Sequence, residues 1–167
     1  MSTLTPPTYS YALHDTPGVV AANNFISFFN PANSGKVMLA FNGIVTSYAT
    51  GVSSTDTSLT SRYITSATGG TLVDAATGVY PLRFDFPDSK LEVRTGNPTV
   101  GLTALGSIGN FLAPITSGVG GTVASSLGAP SAGGVPFVPG EGFVWRTEAG
   151  NVNQRWNLQF IWAEVDI

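Results

Sequence analysis

The sequence contains no cysteine and a single histidine in 167 residues, and each scarcity removes a class of chemistry. Without cysteine there is no disulfide framework, no thiolate nucleophile and no Cys-ligated metal. His14 stands alone in a proline-rich segment, which leaves neither a Ser-His-Asp triad nor a His-rich metal site to assemble. Charge is sparse as well: charged residues make up 10% of the chain, and its 7 Lys and Arg lie scattered from Lys36 to Arg155. A net charge of -3 with no basic run offers nucleic acid no electrostatic footprint. No apolar stretch approaches the roughly 18 to 20 residues that a membrane-spanning helix needs. The segment Met1 to Pro7 lacks the charged and apolar regions of a secretory signal. The expectation is a soluble, non-enzymatic chain made in a cytoplasm, with no cofactor, no metal and no nucleic-acid or membrane partner.

What the chain does contain is apolar residues (43%), 20 Gly and 11 Pro. Frequent Gly and Pro disfavour helices, so many short strands joined by turns are expected, and the fold class is all-β, an antiparallel β-sandwich. Residues 1–20 read as an extended N-terminal arm with prolines at 6, 7 and 17. Residues 21–167 read as a single sandwich domain with a Gly/Ala/Ser-rich excursion at 99–136. Around the turn-rich Asn30 to Gly35, the runs Asn24–Phe29 and Lys36–Val45 read as two neighbouring strands, with Val37, Leu39 and Phe41 on one face. Leu59 to Thr65 reads as a strand, and Leu82, Phe84 and Phe86 alternate with charged residues and are expected to point inward, as are Leu91 and Val93. The clearest pattern is C-terminal. Trp156, Leu158, Phe160 and Trp162 share one face, and with Phe143 to Thr147 they read as a terminal hairpin with an aromatic inner side.

Few residues offer chemistry. Asp74, Asp85, Asp88 and Glu92 form a loose acidic group, and loop carboxylates at sheet ends can hold Ca²⁺, but their spacing matches no ion-binding loop and solvated carboxylates account for them. A hydrolase built on a sandwich would use a pair such as Asp85 and Glu92. Trp145, Trp156 and Trp162 are candidates for a sugar-stacking platform, although alternation with polar neighbours favours core packing. Asn33 to Lys36 and Gly118 to Thr122 lack the full order of a phosphate-cradling loop.

Two segments carry a resemblance: Phe29-Asn30-Pro31-Ala32-Asn33-Ser34-Gly35-Lys36-Val37, and Val138-Pro139-Gly140-Glu141-Gly142-Phe143-Val144-Trp145. An Asn-Pro-Ala-x-Ser-Gly turn near the start, paired with a Pro-Gly-Glu-Gly turn before the last strands, resembles small decoration (cement) proteins of tailed-bacteriophage virions. That resemblance implies a jelly-roll sandwich that sits on the outer capsid surface and stabilises the particle. Its implied partners are the major capsid protein and copies of itself, as a homotrimer. The residues expected to anchor neighbouring subunits are Tyr9, Tyr11, Leu105, Phe111 and Leu112, because extensions without a core of their own must be satisfied by another surface. The alternative is a tail or spike component whose sandwich binds a receptor or glycan.

Overall fold

Alternating apolar and polar side chains produce extended backbone along most of the chain. The computed structural model describes residues 6–17, 22–49, 58–73, 78–83, 85–112, 120–125, 134–147 and 154–167. Among the described residues there are strands and no helix: β1 (Thr8–Pro17), β2 (Asn23–Phe29), β3 (Lys36–Ala49), β4 (Ser58–Thr68), β5 (Thr71–Val73), β6 (Tyr80–Pro81), β7 (Glu92–Thr95), β8 (Thr99–Leu112), β9 (Gly120–Ser125), β10 (Val135–Phe137), β11 (Gly142–Thr147) and β12 (Gln154–Asp166). They form two antiparallel sheets. The first runs β10-β3-β12-β1-β6, with β9 also paired to β3; the second runs β5-β7-β2-β11-β4-β8. The two sheets pack as an antiparallel β-sandwich around one aromatic core.

That core is built as the alternation demands. Trp156, Leu158, Phe160 and Trp162 of β12 are all buried. From the opposite sheet, Phe28 of β2 lies 4.5 Å from Phe160, 4.9 Å from Phe143, 5.7 Å from Trp145 and 6.0 Å from Trp162, ring centre to ring centre. These separations are those at which aromatic rings attract in tilted or offset geometry. Burying one such ring contributes about 2–3 kcal/mol before entropy is counted. The sheet backbone approaches closely at Gly142, opposite Phe29, where a Cβ would stand 2.2 Å from the Phe28 carbonyl oxygen. Only glycine fits there.

The strand partnerships differ from those expected. β2 and β3 do not pair with each other but lie in opposite sheets, so residues 30–35 form an arch across the sandwich rather than a hairpin turn. β11 and β12 are likewise in opposite sheets and meet face to face through Trp145 and Phe160 (6.1 Å), so there is no terminal hairpin. On β3 Met38 and Ala40 of the first half are buried, while Val37, Leu39 and Phe41, which share the other face, are half-buried. The ladder to β12 jumps from Asn42↔Ile161 to Ala40↔Trp162, which leaves Phe41 as a bulge. An extra residue shifts a period-2 pattern by one and exchanges its faces.

The expected N-terminal arm is a strand of the chain's own first sheet. β1 pairs with β12 from Thr8↔Ala163 to Leu13↔Leu158, and with β6 on its other side. Tyr9, Tyr11 and Leu13 alternate with Thr8, Ser10 and Ala12, and that alternation docks the segment on its own core. Within 99–136 the expected surface excursion contains β8, paired to β4, and β9, paired to β3. After Pro81 the chain bends instead of forming the expected strand. Leu82 is 54% exposed, the Arg83 guanidinium sits 5.1 Å from the Phe86 ring centre, and Phe84 lies outside the described residues. Pro81 and Pro87, which carry no N–H, bracket this stretch.

Candidate functional site

The two turns that carry the resemblance are far apart in sequence and joined in space. β2 and β12 end, and β3 and β11 begin, at the same end of the sandwich, and Asn30 fastens them. Its buried side-chain Nδ2 donates to the carbonyl oxygens of Lys36 (2.8 Å) and Phe137 (3.0 Å). Its backbone N–H donates to the Glu141 carbonyl (2.9 Å), and its own carbonyl accepts from the Gly140 N–H (2.8 Å). The Pro-Gly-Glu turn closes on itself: Glu141 N–H donates to Val138 O (3.0 Å), and Val138 N–H donates to the Glu141 carboxylate (3.2 Å). Beside them Lys36 pairs with Asp166, and the Ile167 N–H reaches the Gly35 carbonyl (3.4 Å). A buried amide that satisfies carbonyls from two turns rigidifies both, since leaving those groups unpaired would cost about 1–3 kcal/mol each. The same end exposes apolar side chains, Val138 (46%), Ile167 (79%) and Val165.

A second stitch at this end was missed by sequence reasoning. Glu164, only 3% exposed, accepts hydrogen bonds from Ser89 Oγ, from the backbone N–H groups of Lys90 (3.0 Å) and Leu91 (3.2 Å), and from Trp162 Nε1 (3.3 Å). A charge out of water persists only when it is partnered, and here main-chain donors of residues 90 and 91 supply much of the partnership. The Tyr9 hydroxyl donates to the Pro87 carbonyl (2.9 Å), and its ring stacks on Trp162 at 5.8 Å. Burial first, then the negative charges of Glu164 and Asp88, push the Tyr9 hydroxyl up from 10.0 to about 12. Together Glu164 and Tyr9 strap residues 87–91 across the edge of the core. The signal was present in the sequence: Glu164 has the same parity as Trp156, Leu158, Phe160 and Trp162, so its carboxylate had to face inward.

The candidates for chemistry are dispersed. Asp85 is held by Arg83 (2.8 Å) and Glu92 by Arg94 (2.9 Å), each two residues away, while Asp88 is exposed and Asp74 lies outside the described residues. Among the described residues no group of three or more His, Cys, Asp or Glu is placed to hold a metal ion. Trp145, Trp156 and Trp162 are all buried, which removes them as a sugar-stacking platform because none has a face in solvent. His14 is exposed where the β1 ladder is irregular, between Leu13 and Thr16. It borders an open groove of about 320 Å³ on the outer side of the first sheet with Ile44, Thr46, Asn157, Leu158 and Gln159.

The expected interface residues divide into two sets. Tyr9 (1% exposed) and Tyr11 belong to the chain's own core. Each is held by rings of this same molecule, Trp162 and Phe28 respectively, so neither ring is offered to a neighbour. The backbones of Leu105, Phe111 and Leu112 lie on β8, while their side chains lie outside the described residues.

No family model, curated protein or solved structure matches the chain. Function therefore rests on the two fastened turns, the strapped edge and the surfaces around them. Among the described residues no helix is long and apolar enough to cross a membrane.

Proposed function

We propose that this chain is a non-enzymatic structural protein of a tailed-bacteriophage virion, a jelly-roll decoration protein that binds the outer capsid surface and stabilises the particle. The observation that carries the reading is the union of the Asn30–Gly35 and Val138–Gly142 turns through Asn30. The two segments on which the resemblance rests form one rigid unit at one end of the sandwich, beside exposed Val138, Val165 and Ile167.

Adhesion supplies a function without a reactive group. A protein that binds only the assembled lattice raises its stability by mass action, multiplied over every copy bound. The outer side of the first sheet suits that role. Between Arg155 and Asp166 the solvent-facing residues of β12 are Asn157, Gln159, Ile161 and Val165, and none is charged. Such a face can be covered without desolvating an ion. On this reading the partners are the major capsid protein and further copies of the chain.

The test is to mix the purified protein with expanded empty capsids of the virus that encodes it. Saturable binding at a fixed ratio to capsid subunits and a rise in the capsid Tm are expected. Asn30→Ala, which unfastens the two turns, should weaken that binding while retaining the β-rich circular dichroism spectrum. Absence of binding to capsids, together with saturable binding to host cells or glycans, would replace the decoration reading with the tail or spike alternative.

A further inference from the structure

The groove on the outer side of the first sheet spans three neighbouring strands. Thr46 of β3 stands opposite Asn157 of β12, and Ile44 stands opposite Gln159. Asn157 Nδ2 donates to Thr46 Oγ1 (3.2 Å), which ties the two strands together on this face. On the other side of β12 the ladder to β1 passes from Leu13↔Leu158 to Thr16↔Trp156, so His14 and Asp15 together oppose Asn157 alone. Two residues against one is a β-bulge, a device that re-aims a side chain at a sheet surface. His14, the one histidine of the chain, is exposed at this bulge and borders the groove with Ile44, Thr46, Asn157 and Gln159. Charges around it are few. On β1 the next residue is Asp15, whose side chain lies outside the described residues, as does that of Tyr48 on β3. β12 brings Arg155, opposite Pro17 and Tyr48, and β6 brings Tyr80, opposite Ser10.

We infer that attachment through this face is switched by pH, with His14 as the group that switches it. The inference rests on the decoration reading, in which the capsid covers the outer side of the first sheet. Histidine is the one side chain that ordinarily passes from neutral to cationic as the pH falls from about 8 to about 5. A neutral imidazole can be covered as Asn157 and Gln159 are, by a partner that hydrogen-bonds to it. An imidazolium carries a charge into the contact, and the described side chains of the groove offer it no carboxylate. Taking that charge out of water costs free energy that a neutral surface does not return. The chain therefore holds the lattice at neutral and mildly alkaline pH and loosens from it in mild acid.

The test measures binding of the full chain to expanded empty capsids at about pH 8 and about pH 5.5, on either side of the ordinary histidine transition. Circular dichroism at both values checks that the sandwich is intact. His14→Gln keeps a hydrogen-bonding side chain and removes the titration, so any change that remains in it belongs to the capsid. Between the two values the dissociation constant of the native chain should rise at least about fivefold more than that of His14→Gln. His14→Lys, cationic throughout, should bind weakly at both. A change as large in His14→Gln as in the native chain, equal binding of the native chain at the two values, or native-strength binding by His14→Lys would overturn the inference and leave the decoration reading standing. No binding by any of the three chains at either pH would overturn that reading, and this inference with it.

Discussion

β12 and β8 are nearly equal in length, 13 and 14 residues, yet they contribute to the fold in opposite ways. β12 is flanked by β3 and β1 and places an aromatic or aliphatic side chain in the core at every second position from Trp156 to Trp162. β8 is rich in Gly, Ser and Thr, and among the described residues it pairs with β4 alone, through an interrupted ladder. Strand length measures how far backbone hydrogen bonding can run. Side-chain mass on the inward face decides how much stability the strand carries, since main-chain bonds exchanged for water yield little net free energy and buried apolar area yields much.

The sharpest way to break the contrast is to delete one strand. Ending the chain before Trp156 strands β1 and β3 without their common neighbour, and no cooperative thermal transition should remain by circular dichroism. Next, Phe160→Ala removes a ring that touches Phe28, Phe143, Trp145 and Trp162. A loss of about 3–5 kcal/mol is expected, read by urea denaturation. Glu164→Gln keeps the shape but removes the charge from its cluster of donors, and about 1–3 kcal/mol should go with it, together with faster amide exchange at Lys90 and Leu91. The Tyr9 hydroxyl yields a pH prediction with a definite sign. Its proton is held more tightly in the fold than in the unfolded chain, so its contribution is complete below pH 10 and is lost as the pH rises through about 12. Tyr9→Phe should flatten that alkaline decline in a pH series of melting curves.

The all-β class, the buried face of β12 and the inward Leu91 and Val93 were legible in the sequence because each depends on local alternation alone. The partnerships were not. Asn24–Phe29 and Lys36–Val45 look like a hairpin from their spacing, but alternation says that a strand has two faces and says nothing about which sheet receives it. Phe41 shows a second limit, since a single bulged residue exchanges the faces of everything before it. The Tyr9, Tyr11 and Leu13 pattern was a strand signature overshadowed by neighbouring prolines. The parity of Glu164 gave its direction, but the partners of Asn30 and Glu164 were hidden for a different reason. Their partners Phe137 and Ser89 lie far away along the chain, and only the closed sandwich brings them within hydrogen-bonding distance.

The position of β12 between β1 and β3 also sets a schedule for folding. Thr8 is among the earliest of the described residues to be synthesised and Ala163 among the last, yet they face each other in the first sheet. β1 and β3 therefore leave the ribosome with no central strand to dock on, and wait until nearly the whole chain has followed. Closing so long a loop is slow, and the exposed Tyr9, Tyr11 and Met38 are a hazard in the interval. Production of this protein should accordingly be more sensitive to translation speed and to chaperone supply than its size alone would imply.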